Sequence, residues 1–304
     1  MIAAVTGGTG FIGRRLVEQL LTTFSEVRVL TRGTASLPGA RMVRADLTGA
    51  IPAEALDNTD VLFHCAGELR NEAAMRALHV EGTRRLLAAA RGRVARWVQL
   101  SSVGAYGQAL REGIVDEAAP LAPAGEYENT KAEADALVAA ERGLATVILR
   151  PSIVFGPGMP NRSLYQLVSV LDRGLFFFIG RGAVATYVYV DDVAQALLAC
   201  GTQPGAAGVY NLSDDRPLEE FVGRIAAELG RPAPRRRVPE PLARVAARLL
   251  GRAPGFPLTG PRVDALTRRV RYPAARIERE LGYRFAVSIE EGLRRFVADW
   301  RAQR

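Results

Sequence analysis

Short apolar runs recur along the first half of the chain, at residues 2–6, 27–31, 41–45, 60–64, 97–101 and 146–149. Runs of this length, rich in Val, Ile and Leu, predict strands. Between them, residues 11–21, 71–91 and 127–142 repeat apolar positions at the spacing of one helical face. Strand and helix alternating in this order predict an α/β fold, a doubly wound parallel sheet with helices on both faces. Ligands bind such sheets beyond the carboxyl ends of the strands. The residues that follow each run are therefore the candidates for chemistry.

After Pro151 the rhythm loosens. A turn at Gly156-Pro157-Gly158-Met159-Pro160 leads to a predicted helix over 164–172 and then to Phe176-Phe177-Phe178. Strands are predicted over 187–190 and 209–212, followed by helices opening near Asp191 and Pro217. Residues 231–241, rich in Pro and Arg, read as a connector, and 242–304 as mostly helical. The Phe run suits a core better than a pocket wall.

Composition narrows the class. The chain has 304 residues, 48% of them hydrophobic and 24% charged, which excludes disorder and a short disulfide scaffold. Its net charge of +8 attracts phosphorylated ligands. The arginines are scattered apart from Arg235-Arg236-Arg237, and no nucleic-acid reading element accompanies them, so no nucleic-acid partner is expected. Cys65 and Cys200 sit in apolar contexts without C-x-x-C spacing and predict buried free thiols of a reducing compartment. Two histidines, His64 and His79, are too few for a His-based zinc site, and no metal is expected. No apolar window is long enough to span a membrane. Met1 runs straight into the first strand without a charged leader, which predicts a cytoplasmic protein.

Three motifs carry the candidate chemistry. The first is Thr6-Gly7-Gly8-Thr9-Gly10-Phe11-Ile12-Gly13, set between a strand and a helix. Glycines there permit a tight turn, close approach of a pyrophosphate and close helix–strand packing, while the helix N-terminus offers free N–H groups. Gly7, Thr9, Gly10, Phe11, Ile12 and Gly13 are thus candidate dinucleotide contacts. About twenty residues on, a carboxylate would bind the ribose 2′-hydroxyl of NAD, whereas arginine accommodates the 2′-phosphate of NADP. The chain has Thr31-Arg32 there and no acid, so NADP(H) is favoured and NAD(H) remains open. Asp46 and Leu47 are expected beside the adenine, and Cys65, Ala66 and Gly67 along the cofactor.

The second motif is Tyr127-Glu128-Asn129-Thr130-Lys131. Tyr127 and Lys131, four apart, share a helical face. Lysine is used once in the chain, leaving 39 of the 40 basic residues as arginine. A compact ammonium favours a phenolate and can donate to ribose hydroxyls, which arginine's broad fork does less well. Lys131 is therefore expected to lower the pKa of Tyr127. The third motif, Ser101-Ser102-Val103-Gly104-Ala105-Tyr106-Gly107, follows the fifth strand, where a hydroxyl can meet a substrate carbonyl.

With these motifs in order, the chain resembles the extended short-chain dehydrogenase/reductases of the NAD(P)-dependent epimerase/dehydratase group. The resemblance continues through Leu149-Arg150-Pro151-Ser152-Ile153-Val154-Phe155-Gly156-Pro157, residues 187–194 and 208–212, and weakens after about residue 232. It implies a Rossmann-type dinucleotide domain over 1–160, rejoined by segments around 186–212. A smaller C-terminal α/β substrate lobe would span 161–304. It also implies Ser102, Tyr127 and Lys131 as the catalytic set, Pro151 and Ile153 beside the nicotinamide, and a homodimer built from helices 71–91 and 127–142. Ser102, Tyr127, Asn161 and Arg162 are the expected substrate contacts.

Two departures affect the substrate. The group's Asn-Val-x-Gly-Thr is His79-Val80-Glu81-Gly82-Thr83 here, leaving a relay or a packing role open for His79. The Arg-Asp pair that grips a diphosphate in nucleotide-sugar members is Ala185-Thr186, with Arg162, Arg181 or Arg268 as substitutes. The expected activity is NADPH-dependent reduction of a keto group on a nucleotide-linked deoxysugar. The alternatives are an NAD-retaining epimerase, a reductase of an apolar, steroid-like alcohol, and a non-catalytic dinucleotide sensor.

Overall fold

A computed structural model describes residues 1–107, 110–251 and 258–304. The strand Ile2–Thr6 buries Ala3, Ala4 and Val5 completely, so both of its faces are covered, as in a parallel sheet flanked by helices. It pairs in parallel with Glu26–Thr31 on one side and Thr59–His64 on the other. The sheet extends through Arg41–Arg44 beyond the first neighbour, and through Val94–Leu100, Ala145–Pro151 and Gly208–Leu212 beyond the second. All seven strands run in parallel. The order of travel reverses beside Ile2–Thr6, and a doubly wound sheet opens its crevice at such a point.

Packing fixes this arrangement. On one face Phe11–Leu20 and Val190–Thr202 bury Leu16, Leu20, Val193 and Leu197 against the sheet. On the other, Thr83–Ala90 and Glu126–Ala139 bury Leu86, Leu87 and Val138 alongside Leu62 and Trp97. Each such side chain contributes roughly 1.5–3 kcal/mol relative to exposure.

A second, three-stranded sheet has its own core. Val184–Tyr189 pairs with Ile153–Phe155 in parallel and with Asp214–Pro217 in antiparallel fashion. Beneath it lie Phe155, Leu164, Phe221 and Phe296. Phe176 and Phe178 join that core edge to face, with centroids 5.0 Å apart, so the Phe run packs rather than lining the crevice. Among the described residues no helix is long and apolar enough to cross a membrane.

Several local features depart from the periodicity. The helix predicted over 71–91 is broken into Glu72–Arg76, a π-helical turn at Ala77–Gly82, and Thr83–Ala90. Inside that turn the Thr83 hydroxyl donates to the His79 carbonyl at 2.5 Å. The connector over 231–241 contains a strand, Arg237–Val238, paired with Phe178–Ile179, and the start of the helix Glu240–Leu250. Glu112–Ile114 pairs with Arg269–Arg271. Its three side chains are all exposed, so no apolar pattern marked it. The predicted helical stretch 242–304 holds Gly260–Thr267, Ala275–Leu281 and Ile289–Ala302 besides that strand. Its residues 252–257 lie outside the described part.

Candidate active site

A cleft of about 1960 Å³ runs along the carboxyl ends of the strands and beside the second sheet. At its floor Gly7 adopts φ +68°, and a Cβ there would lie 2.7 Å from the backbone of Cys65 and Ala66. A Cβ on Gly13 would lie 2.1 Å from the Gly7 carbonyl oxygen. These two positions require glycine, and they hold the turn close enough to the helix for a pyrophosphate to reach its N-terminus. No side chain caps the first turn of Phe11–Leu20, which leaves its N–H groups to an anion. The residues present fit a dinucleotide.

Around that turn lie Thr9, Gly10, Phe11 and Ile12, and further along Arg32, Asp46, Leu47, Cys65, Ala66 and Gly67. Arg32 is exposed at the end of Glu26–Thr31. Asp46 accepts from the Thr48 backbone N–H and hydroxyl at 2.9 and 2.8 Å, and these bonds hold its carboxyl below the usual range. Cys65 is only half-buried as a residue, against the expectation of a buried thiol, because its loop forms the cleft wall. Burial of the sulfur still pushes its pKa up to about 12, so it is not a nucleophile at neutral pH. Cys200 is buried. Among the described residues no His, Cys, Asp and Glu cluster is placed to hold a metal ion.

Ser102, Tyr127 and Lys131 all line the cleft, and Ser102 and Tyr127 share a hydrogen bond. Glu128 anchors the first turn of their helix by accepting the Ala124 N–H at 2.9 Å. Lys131 is buried and donates Nζ to the Leu100 carbonyl at 2.6 Å. One turn on, Asp135 accepts from Ser101 Oγ at 2.8 Å and from Arg150 Nε at 3.0 Å. Burial raises the Asp135 pKa while Arg150 and Lys131 oppose the rise. Ser102 Oγ accepts the Gly104 N–H at 3.0 Å, so its proton is free to point at Tyr127.

The tyrosine departs from expectation. Its pKa lies above that of an ordinary phenol, because burial outweighs the lowering effect of its hydrogen bond with Ser102, and Asp135 raises it further. Burial lowers the lysine's own pKa, and the charge of Asp135 opposes that fall. The phenol is therefore the stable form at neutral pH.

His79 ties two walls of the site together. Its Nε2 accepts the Glu68 N–H at 2.8 Å, so Nδ1 carries the ring proton and faces Thr130 Oγ1 at 2.9 Å. Thr130 in turn donates to the Glu126 carbonyl at 2.8 Å. The ring lies edge-on to Tyr127, centroids 5.8 Å apart. Burial lowers the His79 pKa to about 4, which keeps the ring neutral and in this pattern.

Pro151, Ile153 and Asn161 also line the cleft, and Asn161 Oδ1 accepts the Ser163 N–H at 2.8 Å. Arg162 is not brought to it. Its guanidinium bonds Gln303 at 3.0 Å and covers the Tyr165 ring at 4.5 Å. Of the proposed substitute cations, Arg268 alone stands in the cleft wall, donating to the Gly107 carbonyl and the Tyr272 hydroxyl at 3.1 Å each. Sequence reasoning missed Met159, Leu218, Ala265, Leu266 and Tyr272, which also line the cleft. They come from three distant segments of the chain, and no local pattern marks such a meeting.

Comparison with known proteins identifies the family and the fold. The model of the NAD dependent epimerase/dehydratase family matches residues 3–213. A 4-hydroxy-2-methyl-3-oxo-4-farnesyl-3,4-dihydroquinoline-1-oxide ketoreductase of Stigmatella aurantiaca is 31% identical, over 95% of this chain and 93% of its own. A 2-alkyl-3-oxoalkanoate reductase of Stenotrophomonas maltophilia is 30% identical, over 97% and 98%. The UDP-glucuronic acid 4-epimerase of Bacillus cereus, solved in complex with NAD, superposes with a TM-score of 0.77 at 18% identity, covering 100% of this chain and 99% of that one. That likeness is one of fold.

Proposed function

Because the chain belongs to the NAD dependent epimerase/dehydratase family, we propose that it is an NADPH-dependent ketoreductase of a ketone with an apolar body. The observation that carries this reading is the Tyr127 phenol, held protonated in the cleft beside the Ser102 hydroxyl. A protonated acid next to a second donor is what a carbonyl oxygen needs as it becomes an alkoxide. When bound, the nicotinamide supplies or accepts the hydride.

The residues have distinct parts. Gly7, Gly10 and Gly13 with the first turn of Phe11–Leu20 hold the pyrophosphate, and Arg32 accommodates a 2′-phosphate. Asp46 and Leu47 flank the adenine, while Cys65, Ala66, Gly67, Pro151 and Ile153 line the rest of the dinucleotide. Ser102 donates to the ketone oxygen and Tyr127 gives it a proton. Lys131 holds the tyrosine's helix against Leu100 and stands where it can meet the ribose.

The apolar substrate is supported by the wall of Met159, Leu218, Ala265 and Leu266 and by the reductases that share most of the chain. A nucleotide-linked ketosugar is the second reading. Arg268 supports it as a cation in the cleft wall, and UDP-sugar enzymes share the fold. A panel containing a 3-ketosteroid, a 2-alkyl-3-oxo acid and a 4-keto nucleotide sugar separates the two. Turnover confined to the nucleotide sugar would overturn the apolar assignment.

A further inference from the structure

Among the described residues, the helix Glu240–Leu250 leaves one apolar face uncovered. Ala243 and Ala247 point inward and pack with Ile179, Leu258 and Val263. Leu242, Val245, Leu249 and Leu250 are 63%, 52%, 75% and 50% exposed. Positions 242, 245 and 249 fall on one ridge at the i, i+3, i+7 spacing of a helical stripe. Scattered exposed leucines are ordinary, whereas a contiguous ridge of them marks a surface that meets something.

The charges beside the ridge indicate what it meets. Exposed Arg235 and Arg236 lie on the segment that leads into the helix, and exposed Arg248 lies on the helix itself. The nearby acids are already engaged. Glu240 holds Arg244 and Arg269, and Asp264 holds Arg111 and Arg244. Among the described residues, the exposed charges of the helix and its lead-in segment that remain outside these ion pairs are therefore cationic. A second copy would bring the same arginines together, and four side chains offer far less than the roughly 800 Å² per partner of a stable protein interface. An apolar ridge flanked by cations is instead the pattern of a helix lying in the headgroup layer of an anionic bilayer.

We propose that Glu240–Leu250 docks the protein on anionic lipid surfaces, inserting Leu242, Val245 and Leu249 while Arg235, Arg236 and Arg248 meet the headgroups. The docking goes beyond the reductase assignment and does not depend on it. It gives the cleft an orientation, because Gly260–Thr267, which packs against this helix, carries Ala265 and Leu266 in the cleft wall. An apolar ketone dissolved in the bilayer would reach the protein on that side.

Vesicle flotation of the whole protein tests this. Two vesicle types serve, one of phosphatidylcholine alone and one of equal parts phosphatidylcholine and phosphatidylglycerol. The expected result is binding to the phosphatidylglycerol vesicles only, weakened by salt. Leu242→Ser with Leu249→Ser should reduce it by about tenfold or more. Each of Arg235→Ser, Arg236→Ser and Arg248→Ser should cost roughly fivefold. These are surface positions, so unchanged melting temperatures establish that the variants fold. No binding to either vesicle, or binding indifferent to the leucine variants, would overturn the proposal. So would a concentration-dependent dimer in analytical ultracentrifugation that the leucine variants dissociate, since the face would then belong to a second copy.

Discussion

Lys131 donates its buried ammonium to the carbonyl of Leu100 at 2.6 Å. Leu100 ends the strand Val94–Leu100 and precedes Ser101 and Ser102, so this bond ties the helix of Tyr127 to the strand that delivers Ser102. The spacing of the two hydroxyl groups is set by that tie. Behind it, Asp135 and Arg150 form a buried pair at 3.0 Å, which keeps the ammonium near a counter-charge without consuming its donors.

Lys131→Met should fold with a loss of about 1–3 kcal/mol, the cost of an unpaired buried carbonyl at Leu100. Turnover should fall by about 100-fold or more, with weaker dinucleotide binding. Chemical denaturation alongside calorimetric titration of NADPH checks both. A variant with full turnover would remove Lys131 from the mechanism.

Tyr127→Phe should bind dinucleotide as before and lose about 10²–10⁴-fold in kcat, the range for loss of a positioned acid. Because burial raises the phenol pKa above its ordinary value of 10.0, the reductive rate should hold through neutral and mildly alkaline pH. It should fall only as the phenol ionises above that value. A pH profile that declines below pH 9, roughly one unit under a free phenol, would contradict the burial-dominated environment.

His79 makes acid stability a readout of the ring's bonding. Its pKa drops from 6.5 to about 4 on folding, so the neutral ring's contribution is complete above pH 6.5 and is lost as pH falls toward 4. His79→Leu leaves the Glu68 N–H and Thr130 without their partner and should cost about 1–3 kcal/mol at pH 7.5. By pH 5 the gap between native and variant should close by about 2 kcal/mol. Urea titrations at the two pH values measure it, and a constant gap would mean that the ring titrates normally in the fold.

Gly13→Ala should separate packing from binding. The added methyl would meet the Gly7 carbonyl, so a loss of about 1–3 kcal/mol is expected, with dinucleotide affinity reduced about tenfold or more. Gly223→Ala, where nothing lies within 4 Å of the added carbon, is the control and should stabilise by up to about 1 kcal/mol. Differential scanning calorimetry with and without NADPH distinguishes the two variants.

The parallel sheet, the glycine turn and the meeting of Ser102, Tyr127 and Lys131 were legible because each rests on a local pattern. Apolar runs mark strands, and an i,i+4 pair on a helix stays a pair in any fold. The environment of those residues was not legible. That burial, rather than Lys131, governs the tyrosine depends on packing around the cleft, which is tertiary. The role of His79 depended on Glu68 and Thr130 in the same way. Arg162 illustrates the converse, since its place beside the turn suggested a ligand contact while the C-terminal Gln303 claimed it. The strand Glu112–Ile114 escaped because its side chains are all exposed.

The most direct test of the central claim follows a hydride. NADPH deuterated at C4 is mixed with the purified protein and the ketone panel, and the product is read by mass spectrometry. The account predicts one deuterium on the new carbinol carbon for each NADP formed. It also predicts NADPH binding about tenfold tighter than NADH, a preference of roughly 1.4 kcal/mol that Arg32→Ala removes. Protein that retains stoichiometric NAD and inverts a nucleotide sugar without net cofactor consumption would contradict it.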